Sequence, residues 1–144
     1  MEDQQRFNNL LSEINVYRQQ AELIKQQIDL IRASIAEIDT LFSTLQDIEG
    51  KEHVEAFVPI GAGSFVNSEL KSTDEIIVSI GAGIAVKKDA DGAREILTGQ
   101  KEDLKDNLDK MLANLQQVND ISANLQVQAE QLAAAANGNM TQMG

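Results

Sequence analysis

Val58-Pro59-Ile60-Gly61-Ala62-Gly63-Ser64-Phe65-Val66 recurs twenty residues later as Val78-Ser79-Ile80-Gly81-Ala82-Gly83-Ile84-Ala85-Val86. In each copy a short β-branched run meets Gly-Ala-Gly and resumes as a second apolar run. Glycine accepts the positive φ that a tight reversal demands, so each copy reads as two strands and the turn between them. Four strands are expected, over 53–58, 64–66, 76–80 and 84–87, paired as two hairpins. Isolated two-stranded hairpins are marginal in water, and their open edges are templates for further pairing. A chain carrying two of them must bury them in something larger, and a barrel shared by several subunits does so.

The segments on either side have a different period. From Phe7 to Leu45 one apolar row holds Phe7, Ile14, Ala21, Ile28, Ile35 and Phe42. The other holds Leu10, Tyr17, Ile24, Ile31, Ile38 and Leu45. Alternating steps of three and four sustained over roughly six heptads predict a coiled-coil helix. At about 1.5 Å per residue it makes an arm of roughly 60 Å. A second heptad pairs Leu97, Leu104, Met111, Val118, Leu125 and Leu132 with Lys101, Leu108, Leu115, Ser122, Ala129 and Ala136. Asp91-Gly92 is expected as the turn before it. Two helices of similar length joined by a short β segment should pair antiparallel within the chain. Setting large residues against small ones places Tyr17 opposite Ala129, Leu10 opposite Ala136, Ile24 opposite Ser122 and Ile31 opposite Leu115; a shift of one heptad is the alternative register. Val16, Leu23 and Leu30 form a separate row off the seam, either a packing face for a neighbouring subunit or a wall offered to a ligand protein. The fold class is therefore α+β: a coiled-coil hairpin over 1–49 and 93–136, two β-hairpins at its base over 50–92 as an oligomerisation platform, and a disordered tail over 137–144.

Composition agrees with an elongated molecule. Of 144 residues 42% are hydrophobic but only 3% aromatic, with no Trp. Compact cores draw much of their buried area from aromatic rings, whereas a coiled-coil seam does not need them. The net charge of −11 repels phosphate backbones and anionic lipid, which excludes nucleic acid and membrane as partners. No apolar run reaches spanning length and the opening MEDQQRF is no secretory signal, so the expected compartment is the cytoplasm. With no cysteine there is no disulfide framework and no Cys-based metal site.

Catalysis has little to work with. His53 is the one histidine, expected as a strand residue on the solvent face, and no cysteine can serve as a nucleophile. The carboxylates lie on solvated helix faces without a pocket. Neither Gly-Ala-Gly leads from a strand into a helix, so neither forms a phosphate loop. We expect no enzyme, no cofactor and no metal.

The order helix, two hairpins, helix resembles the α-class subunits of the prefoldin family. The resemblance rests on Glu55-Ala56-Phe57-Val58-Pro59-Ile60-Gly61-Ala62-Gly63-Ser64-Phe65-Val66 and on Ile76-Ile77-Val78-Ser79-Ile80-Gly81-Ala82-Gly83-Ile84-Ala85-Val86. These are similar to the family's Val-Pro-Leu, Val-Asp-Ile-Gly-Thr-Gly and Tyr-Tyr-Val-Glu-Lys patterns. Ser79 stands where Asp is usual, and Ile84-Ala85 where two aromatics are. Two hairpins rather than one mark the α class, and the simplicity of the chain suggests the archaeal form. The resemblance implies a hexamer of two α and four β subunits, with the hairpins in a double β-barrel. It implies ATP-independent holding of unfolded client proteins at the coiled-coil tips and their transfer to a group II chaperonin.

The residues expected to carry assembly are Val54, Phe57, Val58, Ile60, Phe65, Val66, Ile76, Val78, Ile80, Ile84 and Val86. Those expected to grip clients are Phe7, Leu10, Leu11, Leu132, Met140 and Met143, because both termini lie at the tips and methionine adapts to many shapes. The competing function is a structural or adaptor coiled coil that tethers fixed partners. An adaptor has no need of barrel-forming strands in mid-chain.

Overall fold

The computed structural model describes residues 2–143, with side chains described over 2–136. Helix α1 spans Glu2–Ile48 and helix α2 spans Ala90–Met143. Between them lie β1 (Val54–Gly61), β2 (Ser64–Leu70), β3 (Ile76–Gly81) and β4 (Ile84–Lys88). They form two separate two-stranded antiparallel sheets, β1 with β2 and β3 with β4. The expected fold is present. The tail expected over 137–144, with Met140 and Met143, lies outside the described side chains.

The chain packs as two units, one of residues 1–32 with 106–144 and the other of 33–105. In the first, the seam rows read from the sequence face inward, except at Ala136, which is exposed. Ile14, Ala21, Ile28 and Ala129 are buried, and Leu10, Tyr17, Ile24, Leu125 and Leu132 are half-buried. Leu10 and Leu132 line one groove between the helices, and Ile14 and Ala129 line another. Size matching alone could not place these pairs.

The second unit holds the best-formed core. Leu45, only 1% exposed, clusters with Ile38, Ala93, Leu97 and Val78, and Phe42, Ile76, Ile96 and Leu104 pack around them. Val78 and Ile76 belong to β3, so the second hairpin is already seated on the helix bases of its own chain. Salt bridges from Arg94 to Glu49 and from Lys101 to Asp39 close the same region. Lys101 occupies a seam position and is half-buried, with its ammonium led out to Asp39.

The ends of the elements have local causes. Helix α1 stops at Gly50 (φ +72°), with the Glu49 amide bonded back to the Leu45 carbonyl at 3.0 Å. The Thr73 hydroxyl, buried in the β2–β3 connection, lies 2.9 Å from the Ile48 carbonyl and 3.0 Å from that of Lys51. Its single proton is shared between these two carbonyls, of which that of Ile48 also accepts the Lys51 amide at 3.1 Å. Helix α2 starts earlier than expected. Asp89 is its N-cap, accepting the Gly92 amide at 2.8 Å, so Asp91-Gly92 lies in the first helical turn and not in a turn before it. His53 sits one residue ahead of β1 in a left-handed conformation (φ +56°), not within the strand.

Candidate functional site: two hairpins with unequal faces

Both hairpins turn in the same way. Gly61 pairs with Ser64 and Gly81 with Ile84, which leaves Ala62-Gly63 and Ala82-Gly83 as two-residue turns. All four turn residues have positive φ, the requirement of a type I′ turn. Ile60 and Ile80 each have no cross-strand partner, because the register slips between Pro59 and Gly61 and again between Ser79 and Gly81. Such a bulge raises the local twist of the ribbon. The repeat in sequence is thus a repeat in structure, and each Gly-Ala-Gly connects two strands.

Alternation divides the assembly residues between faces. In the first hairpin Val54, Ala56, Val58, Val66, Ser68 and Leu70 share one face. Val54 is half-buried, while Val58 and Val66 are exposed. The other face carries Glu55, Phe57, Phe65, Asn67 and Glu69, all exposed, and Phe57 is 73% accessible. In the second hairpin Ile76, Val78 and Val86 share a face that turns inward; Val78 is 5% exposed and the other two are half-buried. Ile77, Ser79, Ala85 and Lys87 face outward, and Ile80 and Ile84 near the turn are exposed. The residues expected to act together in assembly therefore separate. Val78, with Ile76, is part of the chain's own core, and Phe57, Val58, Ile60, Phe65, Val66, Ile80 and Ile84 are presented to solvent. Ile77, at 69% exposure, and Leu70 were not singled out from the sequence. Period-two counting from buried Val78 points to Ile77, but nothing in the run Ile76-Ile77-Val78 says which member turns inward.

Charge sits at the helix-proximal end of the hairpins. Glu55 and Glu69 are directly opposite each other, and His53 Nδ1 lies 2.8 Å from Glu69. Lys87 is opposite Ile77 on the outer face of the second hairpin. At the helix bases the hydrogen bond from Arg94 holds the Glu49 carboxyl below the ordinary carboxylate range, and the same bond holds the Arg94 guanidinium above its ordinary value.

The terminal apolar residues do not form one patch. Leu10 and Leu132 line an open groove of about 280 Å³ together with Arg6, Gln128, Gln131 and Ala135. Phe7 and Leu11 line a second, also about 280 Å³, with Ile14, Arg18, Ala129, Glu130 and Ala133. Phe7, Leu10 and Leu132 are half-buried seam residues, and Leu11 is exposed. Val16, Leu23 and Leu30 are all exposed. Among the described residues no cluster of three or more His, Cys, Asp or Glu could hold a metal ion, and no helix is long and apolar enough to cross a membrane.

The family model described as prefoldin subunit matches residues 17–135, which takes in both hairpins and most of both helices. The chain belongs to the prefoldin family. Prefoldin subunit alpha of Methanobrevibacter smithii is 69% identical over 144 residues, covering 100% of this chain and 99% of that protein. Prefoldin subunit alpha of Methanosarcina barkeri is 37% identical over 131 residues, covering 88% and 90% respectively. A cryo-EM structure of filamentous PFD from Methanocaldococcus jannaschii superposes with a TM-score of 0.53 at 22% identity, over 89% of this chain and 98% of that one, and shares the fold. Prefoldin is a family of chaperone subunits rather than of enzymes.

Proposed function

We propose that this chain is the α-class subunit of an ATP-independent cytoplasmic holding chaperone. It assembles through its hairpins with β-class subunits, two α with four β. It grips unfolded proteins at the ends of its coiled coil and passes them to a group II chaperonin. The observation that carries the assembly reading is the first hairpin, two strands with open edges and large apolar side chains exposed on both faces. Such a surface persists in a stable protein only where a partner covers it. Client binding is assigned to Phe7, Leu10, Leu11 and Leu132, with Met140 and Met143. The two grooves support this, because each offers apolar side chains beside polar ones without enclosing a small ligand. A buried apolar side chain is worth roughly 1.5–3 kcal/mol, less the ordering of the chain that supplies it, so several arms must act together.

The test follows aggregation by light scattering as an unfolded protein is diluted from denaturant into the assembled complex. Suppression without ATP is expected. Removing residues 1–11 and 133–144 should abolish it while the hexamer still forms. Unchanged aggregation with the intact complex favours the adaptor reading. Full holding by the truncated complex moves the client site elsewhere, with Val16, Leu23 and Leu30 next in line.

A further inference from the structure

We infer that the row Val16, Leu23 and Leu30 on the outside of α1 pairs antiparallel with the same row of another copy of this chain, arm against arm about a two-fold axis at Leu23. The row is separate from the hairpins and from the residues assigned to clients, so the contact goes beyond the function proposed above.

The three side chains are exposed at 51%, 60% and 69%. Their seven-residue spacing sets them in one line along the helix, about 10 Å apart. Charge is sorted around that line. Between Glu13 and Glu37 the helix carries five charged residues, Arg18, Glu22, Lys25, Asp29 and Arg32, each about 100° or more around it from the apolar row. The positions that flank the row are Gln19, Gln20, Gln26 and Gln27, all exposed, followed by Ala33 and Ser34. In a chain of net charge −11, both signs are missing from this one face. Solubility alone favours the reverse, because charged side chains keep an exposed helix face from associating. An arbitrary unfolded client brings neither a fixed spacing nor a fixed charge. A second copy brings the same seven-residue spacing, and the uncharged face lets two acidic chains approach.

The face is also complementary to itself. Turned about an axis at Leu23, Leu23 meets Leu23, Val16 meets Leu30, Gln19 meets Gln27 and Gln20 meets Gln26. A glutamine amide both donates and accepts, so like amides bond each other. At the ends of the uncharged stretch Glu37 comes opposite Asn9, one turn from Arg6, which sets an acid beside a base. Two-fold symmetry makes each of these contacts twice. A strip some 20 Å long on one helix falls short of the roughly 1,200 Å² of a stable interface. The pairing is therefore weak and reversible, and crosslinking is the way to trap it.

The chain has no cysteine, so single introduced cysteines report the contact by forming disulfides. The full-length chain, co-assembled with β-class subunits, is oxidised in a glutathione buffer, and disulfide-linked dimers of this chain are identified by mass. Leu23→Cys should link to itself at least tenfold more than Asn15→Cys, which is exposed on another row of the same helix. Val16→Cys mixed with Leu30→Cys should link at least tenfold more than either alone. Adding Leu23→Lys to that mixture should remove the link, with helix content, capture of β-class subunits and holding activity unchanged. Leu23→Cys no better than Asn15→Cys overturns the inference. So do three cysteines that each link equally well to themselves, the mark of a parallel contact, and a Leu23→Lys mixture that links as before. Loss of holding activity in Leu23→Lys, with no disulfide pairing in the cysteine variants, also overturns it by assigning the row to clients.

Discussion

Truncating Val78 and truncating Phe57 should have opposite consequences, although both residues lie in hairpins and both are apolar. Val78 is 5% exposed and packs with Leu45, Ala93 and Leu97 at the helix bases. Val78→Ala removes two methyl groups, about 1.6 kcal/mol at ~0.8 kcal/mol per buried carbon. The cavity left behind raises the loss to about 2 kcal/mol. With a urea dependence of ~2 kcal/mol per molar for a domain of this size, the midpoint should fall by about 1 M. Phe57 is 73% exposed in the chain itself, so Phe57→Ala should shift that midpoint by less than about 0.25 M, in line with the ~0.5 kcal/mol usual at surface sites. If the first hairpin assembles as proposed, the order reverses in the complex, because a partner then buries the ring of Phe57. Helix content of the chain is followed by far-UV circular dichroism against urea at low micromolar concentration, where mass action opposes association. Complex formation with β-class subunits is followed by sedimentation. Equal midpoint shifts for the two variants would refute the division of labour between the hairpins. So would a Phe57→Ala chain that assembles with parental affinity.

Three further outcomes follow from the base of the coil and from the turns. Arg94→Ala should lower the urea midpoint at pH 7 and have less effect in acid. A depressed Glu49 pKa means stability that is complete above the ordinary carboxylate pKa and lost as pH falls through the lowered value, so the gap between parent and variant should close there. Thr73→Ala should cost about 1 kcal/mol by removing the one hydroxyl proton that the Ile48 and Lys51 carbonyls share, whereas Thr73→Ser should retain most of that stability; chemical denaturation distinguishes the two. Ala62→Asn and Ala82→Asn should each stabilise the chain by up to about 1 kcal/mol, since both alanines hold left-handed φ (+49° and +54°) that asparagine tolerates better. Lower midpoints for these variants would show that the turns need alanine for another reason.

Much of this protein could be read without coordinates, and the reason is periodicity. A heptad sustained from Phe7 to Leu45 admits one solution, a helix with one apolar seam, and the seam residues named from it are the ones turned inward. The Gly-Ala-Gly repeat likewise admits little but two reversals between strands. Polar strand residues escaped the reading. Asn67-Ser68-Glu69 extends β2 because Phe57, Ala56 and Glu55 lie opposite and pair with it, a contact across the turn that local propensity does not contain. Lys101 was legible as a seam position but not as the partner of Asp39, since the two are far apart in sequence.

Fold class, element order, seam and turn positions were thus determined by the sequence alone, because each follows from spacing along one element or across one short turn. Tertiary structure alone decided the quantities that depend on two elements meeting. It brought Leu10 and Leu132 to one groove and Ile14 and Ala129 to another. It put the Thr73 hydroxyl at the end of α1. It also separated two hairpins built on one nine-residue repeat, matched at six positions, one seated by Val78 on its own helices and the other left exposed on both faces. The physical reason is that burial is a property of the surface a side chain meets, and a repeat carries the side chains without the surface.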